Sequence, residues 1–240
     1  MIIQDYNSKK ELAIAAAGLF VQLANEAVSK KGYFAVALSG GSTPLETYKI
    51  LAELPFRNKL PWDKTFIFWG DERCVPQNSN QNNSHIAFEN LLNHVPVPRN
   101  NIYPVPTSFS PERSAEVYEE ILSSFFAAHP YPLDLILLGL GENGHTASLF
   151  PHTPVLNEKK RRVKEVYVSE LNMYRITFTA SFINQAENVA FLVSGKSKAA
   201  VFARITGETY DPERLPAQLI KPESGQLFWL VDKEVLISAV

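Results

Sequence analysis

The sequence contains a single cysteine, Cys74, in 240 residues. One thiol excludes an intrachain disulfide framework and a thiolate zinc cluster, and it fits a reducing, cytoplasmic setting. A basic excess is missing too. Lys and Arg number 23 against 25 Asp and Glu, a formal net charge of -2, so the positive field that grips nucleic-acid phosphates is absent. The opening MIIQDYNSKK lacks the basic stretch, apolar run and small-residue cleavage site of an export signal. No long hydrophobic run follows it. The most apolar window, Leu12 to Ala24, carries Gly18 and Gln22, is too short to cross a bilayer and falls in a helical pattern, so no membrane segment is expected. No HExxH or comparable spacing joins the histidines, and His145 and His152 are separated by Pro151, so no metal site is expected.

What the chain does have is ordinary globular usage, with 45% hydrophobic, 20% charged and 11% aromatic residues. Its length favours one large domain over two modules, and no internal repeat or long Pro/Gly/Ser linker divides it, so residues 1–240 read as a single domain. Ser8-Lys9-Lys10-Glu11 is a capping box opening an amphipathic helix to about Lys31. The apolar run Tyr33 to Leu38 ends in Ser39-Gly40-Gly41-Ser42-Thr43, and Pro44 then marks the first position of a second helix. Alternation continues with a strand Thr65 to Gly70, a helix near Ser84 to Leu92, a short strand Ile102 to Val105, a helix Pro111 to Ala128 and a strand Leu133 to Leu140. Arg162 to Val168 and Arg175 to Thr179 read as strands with only a short connection, hence an antiparallel excursion around residues 160–180. Val189 to Val193, a helix Lys196 to Ile205 and the strand Leu227 to Val231 complete the pattern. The fold class is α/β: a Rossmann-like, doubly wound, mostly parallel sheet with helices on both faces. Gln77 to Ser84, QNSNQNNS, reads as an exposed loop because its amides cannot build a core.

In such a sheet ligands bind beyond the carboxyl ends of the strands, which directs attention to three loops. After Leu38, SGGST offers glycines, hydroxyls and a helix N-terminus suited to an anion, with a tight turn plus an N-cap as the bland alternative. A nucleotide P-loop is disfavoured because no Gly-Lys-Ser/Thr follows. After Trp69, Asp71, Glu72 and Arg73 put three charges on the rim; a solvated ion-pair cluster is the bland alternative. After Leu140, His145 follows a glycine turn. A free imidazole titrates near ~6.5 and can serve as a general base. Gly139, Gly141 and Gly144 also spell GxGxxG, but Pro151 and Pro154 cut short the helix that a dinucleotide fingerprint should open. Arg175 and Lys198 are either solvated charges or anion ligands, depending on whether their elements adjoin SGGST. Cys74 reads as packing.

Taken together and in order, SGGSTP, FWGDERCVP, LILLGLGENGHTASLFP, RITFT and SGKSKA resemble the 6-phosphogluconolactonase family, a relative of the glucosamine-6-phosphate isomerase/deaminases, over about Leu38 to Ala199. The resemblance implies an esterase, without metal or cofactor, that opens 6-phospho-D-glucono-1,5-lactone in the oxidative pentose phosphate pathway, its partner being that small phosphosugar and neither nucleic acid nor membrane. A monomer or small homo-oligomer is expected. It implies His145 as the base that activates water. Arg73 would stabilise the oxyanion or orient the lactone carbonyl, and Asp71 would hold Arg73 or a sugar hydroxyl. Ser39, Gly40, Gly41, Ser42, Thr43, Arg175 and Lys198 would hold the phosphate. The deaminases have a glutamate where this chain has Phe150, and a tyrosine pattern where it has Arg73, both of which favour ester hydrolysis. One departure stands out: the family usually carries Asp two residues before the histidine, and this chain carries Asn143. A phosphosugar-binding protein without turnover, or a deaminase, remains the alternative. Asn83 is the closest match to an asparagine of the family's helix-start motif.

Overall fold

The computed structural model describes residues 1–207 and 209–237. In chain order the strands and helices are β1 (Ile2–Tyr6), α1 (Lys9–Lys31), β2 (Phe34–Leu38), α2 (Ser42–Ala52), β3 (Thr65–Trp69), β4 (Asp71–Arg73), α3 (Asn83–Ala87), α4 (Pro111–Ala128), β5 (Leu135–Leu138), β6 (Val163–Val168), β7 (Met173–Phe178), α5 (Ala180–Ile183), β8 (Asn188–Val193), α6 (Ala199–Thr206), β9 (Gln226–Asp232) and α7 (Lys233–Leu236). Six strands form a wholly parallel sheet in the order β1-β9-β8-β5-β2-β3, and β4-β7-β6 form a small antiparallel sheet. The expected antiparallel excursion is therefore present, with β4 as its third strand.

Every residue of β2 and β5 is buried, as expected of strands covered on both faces. The side chains show which helix covers which face. Phe34 meets Phe20 of α1 edge-on, 5.3 Å between ring centres, whereas Phe66 and Phe68, whose register partners Ala35 and Ala37 alternate with Phe34, pack on Phe125 of α4. Helix α1 thus lies on one face and α4 on the other. The α1 start is the expected cap, Ser8 Oγ accepting from the Glu11 N–H at 3.2 Å, but the Glu11 carboxylate reaches back to Asn7 rather than to Ser8. Gly32 ends the helix with φ +86°. At 23 residues α1 is longer than its most apolar window and by length and composition could cross a membrane; here its buried side, from Leu12 to Ala27, is covered by the sheet and α2.

Several boundaries depart from the sequence reading. β1 is an extra edge strand. Ile102 to Val105 forms only a bridge, Tyr103 N–H to Ile67 C=O at 2.8 Å, because Pro104 has no N–H to extend the ladder. Helix α2 begins at Ser42, which makes Pro44 its third residue rather than its first. The amide-rich run is not wholly exposed: Asn82, Asn83 and Ser84 are buried, with Asn82 capping α3 through the His85 N–H at 2.9 Å. Polar side chains enter a core when the backbone supplies their partners, which composition alone does not reveal.

Candidate active site

The chain leaves β2, runs outward to β3, and returns to β5 on the other side of β2, so β2 and β5 flank the point where the sheet's winding reverses. Beyond their carboxyl ends lies a cleft of roughly 230 Å³. Ser39, Gly40 and Gly41 wall it from the loop after β2, Asp71 and Arg73 from β4, Asn83 from α3, His145 from the loop after β5, Arg175 from β7 and Lys198 from the turn before α6. Of the expected residues, Ser42 and Thr43 open α2 beside the cleft without lining it, and Asn143 stands behind His145. Glu72 turns away into the core.

The imidazole of His145 is held on three sides. Asn143 Oδ1 accepts both the His145 backbone N–H at 3.2 Å and a ring hydrogen bond from Nδ1 at 2.6 Å. The backbone donor identifies that amide atom as oxygen, so Nδ1 carries the ring proton and Nε2 keeps the lone pair. Phe150 stacks on one face, 4.0 Å between ring centres and 17° from parallel. Nδ1 lies so close to Gly141 that a Cβ there would come within 2.0 Å of it. The turn closes on itself through Gly144 N–H to Gly141 C=O at 3.0 Å, with Gly144 at φ +84°, and no helix opens behind it. The GxGxxG spelling consequently lacks the helix N-terminus on which a pyrophosphate would rest. Burial, reinforced by Arg175, Lys198 and Arg73, pushes the His145 pKa down to about 4 against the opposing pull of Asp71. At neutral pH the ring is an uncharged base.

Cations dominate the remaining wall. Arg73 and Arg175 stand directly opposite each other in the β4/β7 ladder, a like-charge pairing that disfavours the sheet unless an anion lies between them. Asp71 does not hold Arg73. Its Oδ2 lies 3.9 Å from Arg175 Nη1 and accepts from Ser148 Oγ at 2.7 Å, while Arg73 Nη1 donates to the Gln81 carbonyl at 2.6 Å. The reason is the diagonal of the antiparallel pair, which brings Arg175 beside Asp71, whereas the folded amide-rich loop captures Arg73. Lys198 is loosely paired with the exposed Glu142 at 3.8 Å. Among the described residues no protein acceptor takes the amides of Gly40, Gly41, Ser42 and Thr43, although the Ser39 amide is used by Tyr48 Oη at 2.9 Å. Free amides at a helix N-terminus beside three cations are chemically suited to an anion. Cys74 is no nucleophile here, since burial and Glu72 push its pKa up to about 11. No trio of His, Cys, Asp or Glu is grouped among the described residues as metal ligands would be.

Sequence reasoning picked out Asn83 only as a match to the family's helix-start motif and Phe150 only as the place of the deaminases' glutamate, and it passed over Ser148. That Asn83 walls the cleft, Ser148 holds Asp71 and Phe150 stacks on His145 follows from non-local packing that the sequence does not display.

A family model described as glucosamine-6-phosphate isomerases/6-phosphogluconolactonase matches residues 7–229. The chain is 43% identical over 213 residues to a 6-phosphogluconolactonase of Synechocystis, covering 87% of this chain and 86% of that one. A Nostoc 6-phosphogluconolactonase is 41% identical over 210 residues, covering 86% and 85%. Among solved structures, 6-phosphogluconolactonase from Trypanosoma brucei superposes with a TM-score of 0.83 at 29% identity, over 98% of this chain and 97% of that one.

Proposed function

Because the chain belongs to the glucosamine-6-phosphate isomerase/6-phosphogluconolactonase family, we propose that it hydrolyses 6-phospho-D-glucono-1,5-lactone to 6-phosphogluconate, a step of the oxidative pentose phosphate pathway. The observation that carries this reading is the uncharged imidazole of His145, its Nδ1–H tied to Asn143, in a cleft whose wall also carries Arg73, Arg175, Lys198 and the loop of Gly40 and Gly41.

The phosphate binds at the free amides of the loop after β2, with Arg175 and Lys198 supplying charge. That remote binding energy orients the lactone carbonyl toward His145. Nε2 takes a proton from water as the water oxygen attacks C1, and the carbonyl electrons move onto oxygen beside Arg73. Collapse of the tetrahedral species breaks the bond from C1 to the ring oxygen, which receives the proton back from Nε2. The new carboxylic acid then ionises. Phe150, apolar where the deaminases have a glutamate, supports hydrolysis over isomerisation with loss of ammonia.

The test is lactone opening, followed by proton release at fixed pH, for wild type and His145→Ala against the spontaneous rate. Wild type accelerates the reaction, and removal of the base costs roughly 10²- to 10⁴-fold. Affinity for 6-phosphogluconate without acceleration refutes the reading and leaves a binding protein.

A further inference from the structure

We propose that Asn83 and Ser148 are positioning residues: through Asp71 they form a buried bridge that fixes the distance between the anion loop at Gly40 and the loop carrying His145. The inference rests on the hydrolase reading for its catalytic consequence, but its geometry stands apart from it.

The main sheet leaves that distance unspecified. β2 and β5 are paired only at Val36 with Leu135 and Ala37 with Ile136, and the ladder ends before either loop begins. The connection runs instead through β4. Ser148, fully buried, donates from Oγ to Asp71 Oδ2 at 2.7 Å, and its backbone N–H donates to Thr177 Oγ1 at 3.1 Å. Thr177 is the register partner of Asp71, so the His145 loop is fastened to two adjacent strands of the small sheet. On the other side, Asn83 Nδ2 donates to the Asp71 carbonyl at 2.9 Å, with Asp71 Oδ1 at 3.4 Å. The Asn83 backbone N–H is held by Glu72 Oε1 at 2.7 Å.

The far end of the bridge is a close approach. The Asn83 amide occupies the place of a side chain on Gly40: a Cβ there would lie 2.1 Å from Oδ1 and 2.7 Å from Cγ. Gly40 has no left-handed φ, so proximity to Asn83 rather than backbone conformation demands glycine. Asn83 Oδ1 is buried without a hydrogen-bond partner. An unpaired buried carbonyl costs stability, and its retention against the anion loop is what a positioning role requires.

The reacting carbon and the phosphate sit at opposite ends of the lactone's carbon chain. A drift between the two loops therefore weakens the contribution of phosphate binding to catalysis without touching the base. Two measurements test this. In the first, kcat/KM is compared for 6-phosphogluconolactone and for glucono-1,5-lactone, which lacks phosphate, in wild type, Asn83→Ala and Ser148→Ala. The bridge predicts that each substitution lowers the phosphate advantage, the ratio of the two values, by about 10- to 100-fold, the loss falling on the phosphorylated lactone more than on glucono-1,5-lactone. Equal losses on both substrates, or no loss, overturn it. In the second, which needs no substrate, thermal melting of Gly40→Ala, Asn83→Ala and the double variant forms a cycle. The double variant melting no lower than the worse single variant supports the contact, and additive losses overturn it. Wild type that leaves 6-phosphogluconolactone at its spontaneous rate refutes the hydrolase reading, and the melting cycle still decides the bridge.

Discussion

Replacing Asn143 by Asp turns the amide whose Oδ1 lies 2.6 Å from Nδ1 of His145 into a carboxylate. The wild-type amide accepts the ring hydrogen bond and carries no charge, so it orients the imidazole without stabilising its protonated form. A carboxylate does both. An opposite charge within hydrogen-bond distance raises an imidazole pKa by about 1 to 3, equivalent to about 1.4 to 4 kcal/mol. Arg73, Arg175 and Lys198 oppose that change, since they already hold the ring down. From the wild-type value of about 4, the acidic limb of kcat/KM therefore moves up to between about pH 5 and pH 7 in Asn143→Asp. The sign follows from the role. The base acts when unprotonated, so activity is lost as pH falls through its pKa, and the variant loses it at higher pH. The assay is initial-rate lactone opening from pH 4 to 8, with the spontaneous rate subtracted at each pH. An acidic limb that stays in place shows that residue 143 does not touch the base in solution and refutes the geometry. In wild type, the limb of kcat should lie above that of kcat/KM, because bound phosphate neutralises the cations that depress the ring.

Gly141→Ala puts a methyl group within 2.0 Å of the imidazole nitrogen at a residue without left-handed φ, so the ring must move. It should lower kcat on the order of 10²-fold, and a kcat within 2-fold of wild type disproves the close approach. Lys198→Ala removes a partly exposed cation whose one ion-pair partner among the described residues is Glu142, loosely at 3.8 Å; KM for the phosphorylated lactone should rise by roughly 10- to 100-fold, and an unchanged KM removes Lys198 from the anion site. Glu72, wholly buried, has its pKa raised to about 7 mainly by burial, against three backbone N–H bonds that lower it. Between about pH 4.5 and 7 the native state holds its proton more tightly than the unfolded chain, so this group's contribution to stability falls as pH rises. His145, whose pKa is depressed, contributes the opposite slope between about pH 4 and 6.5. Glu72→Gln should leave a melting temperature that rises with pH across that window, whereas wild type stays nearly flat; identical profiles would exclude the assignment.

The parts of this protein legible in its sequence are those where local pattern and final environment agree. Phe34 to Leu38 and Leu135 to Leu138 are apolar throughout because both faces are covered, and the glycines that follow mark where the backbone turns at the rim. β1 was not legible because IIQDY is an edge strand exposed on both faces, with no alternation to betray it. β4 was not legible because three charged residues become a strand only by pairing with β7, a hundred residues downstream. The same non-local pairing decided that Asp71 meets Arg175 rather than Arg73. His145 was found from its place after a buried strand, whereas Asn83, picked out by resemblance alone, acquires a physical reason only once Gly40 is seen against it.

The register opposition of Arg73 and Arg175 has a consequence for turnover. Ring opening converts a neutral ester into a carboxylate, so the departing ligand is more negative than the arriving one. A pocket whose wall carries Arg73, Arg175 and Lys198 against the carboxylate of Asp71 then grips product harder than reactant, and egress rather than bond cleavage becomes the slow event at high flux. Added salt, by loosening that grip, would speed steady-state cycling while weakening capture of the incoming sugar.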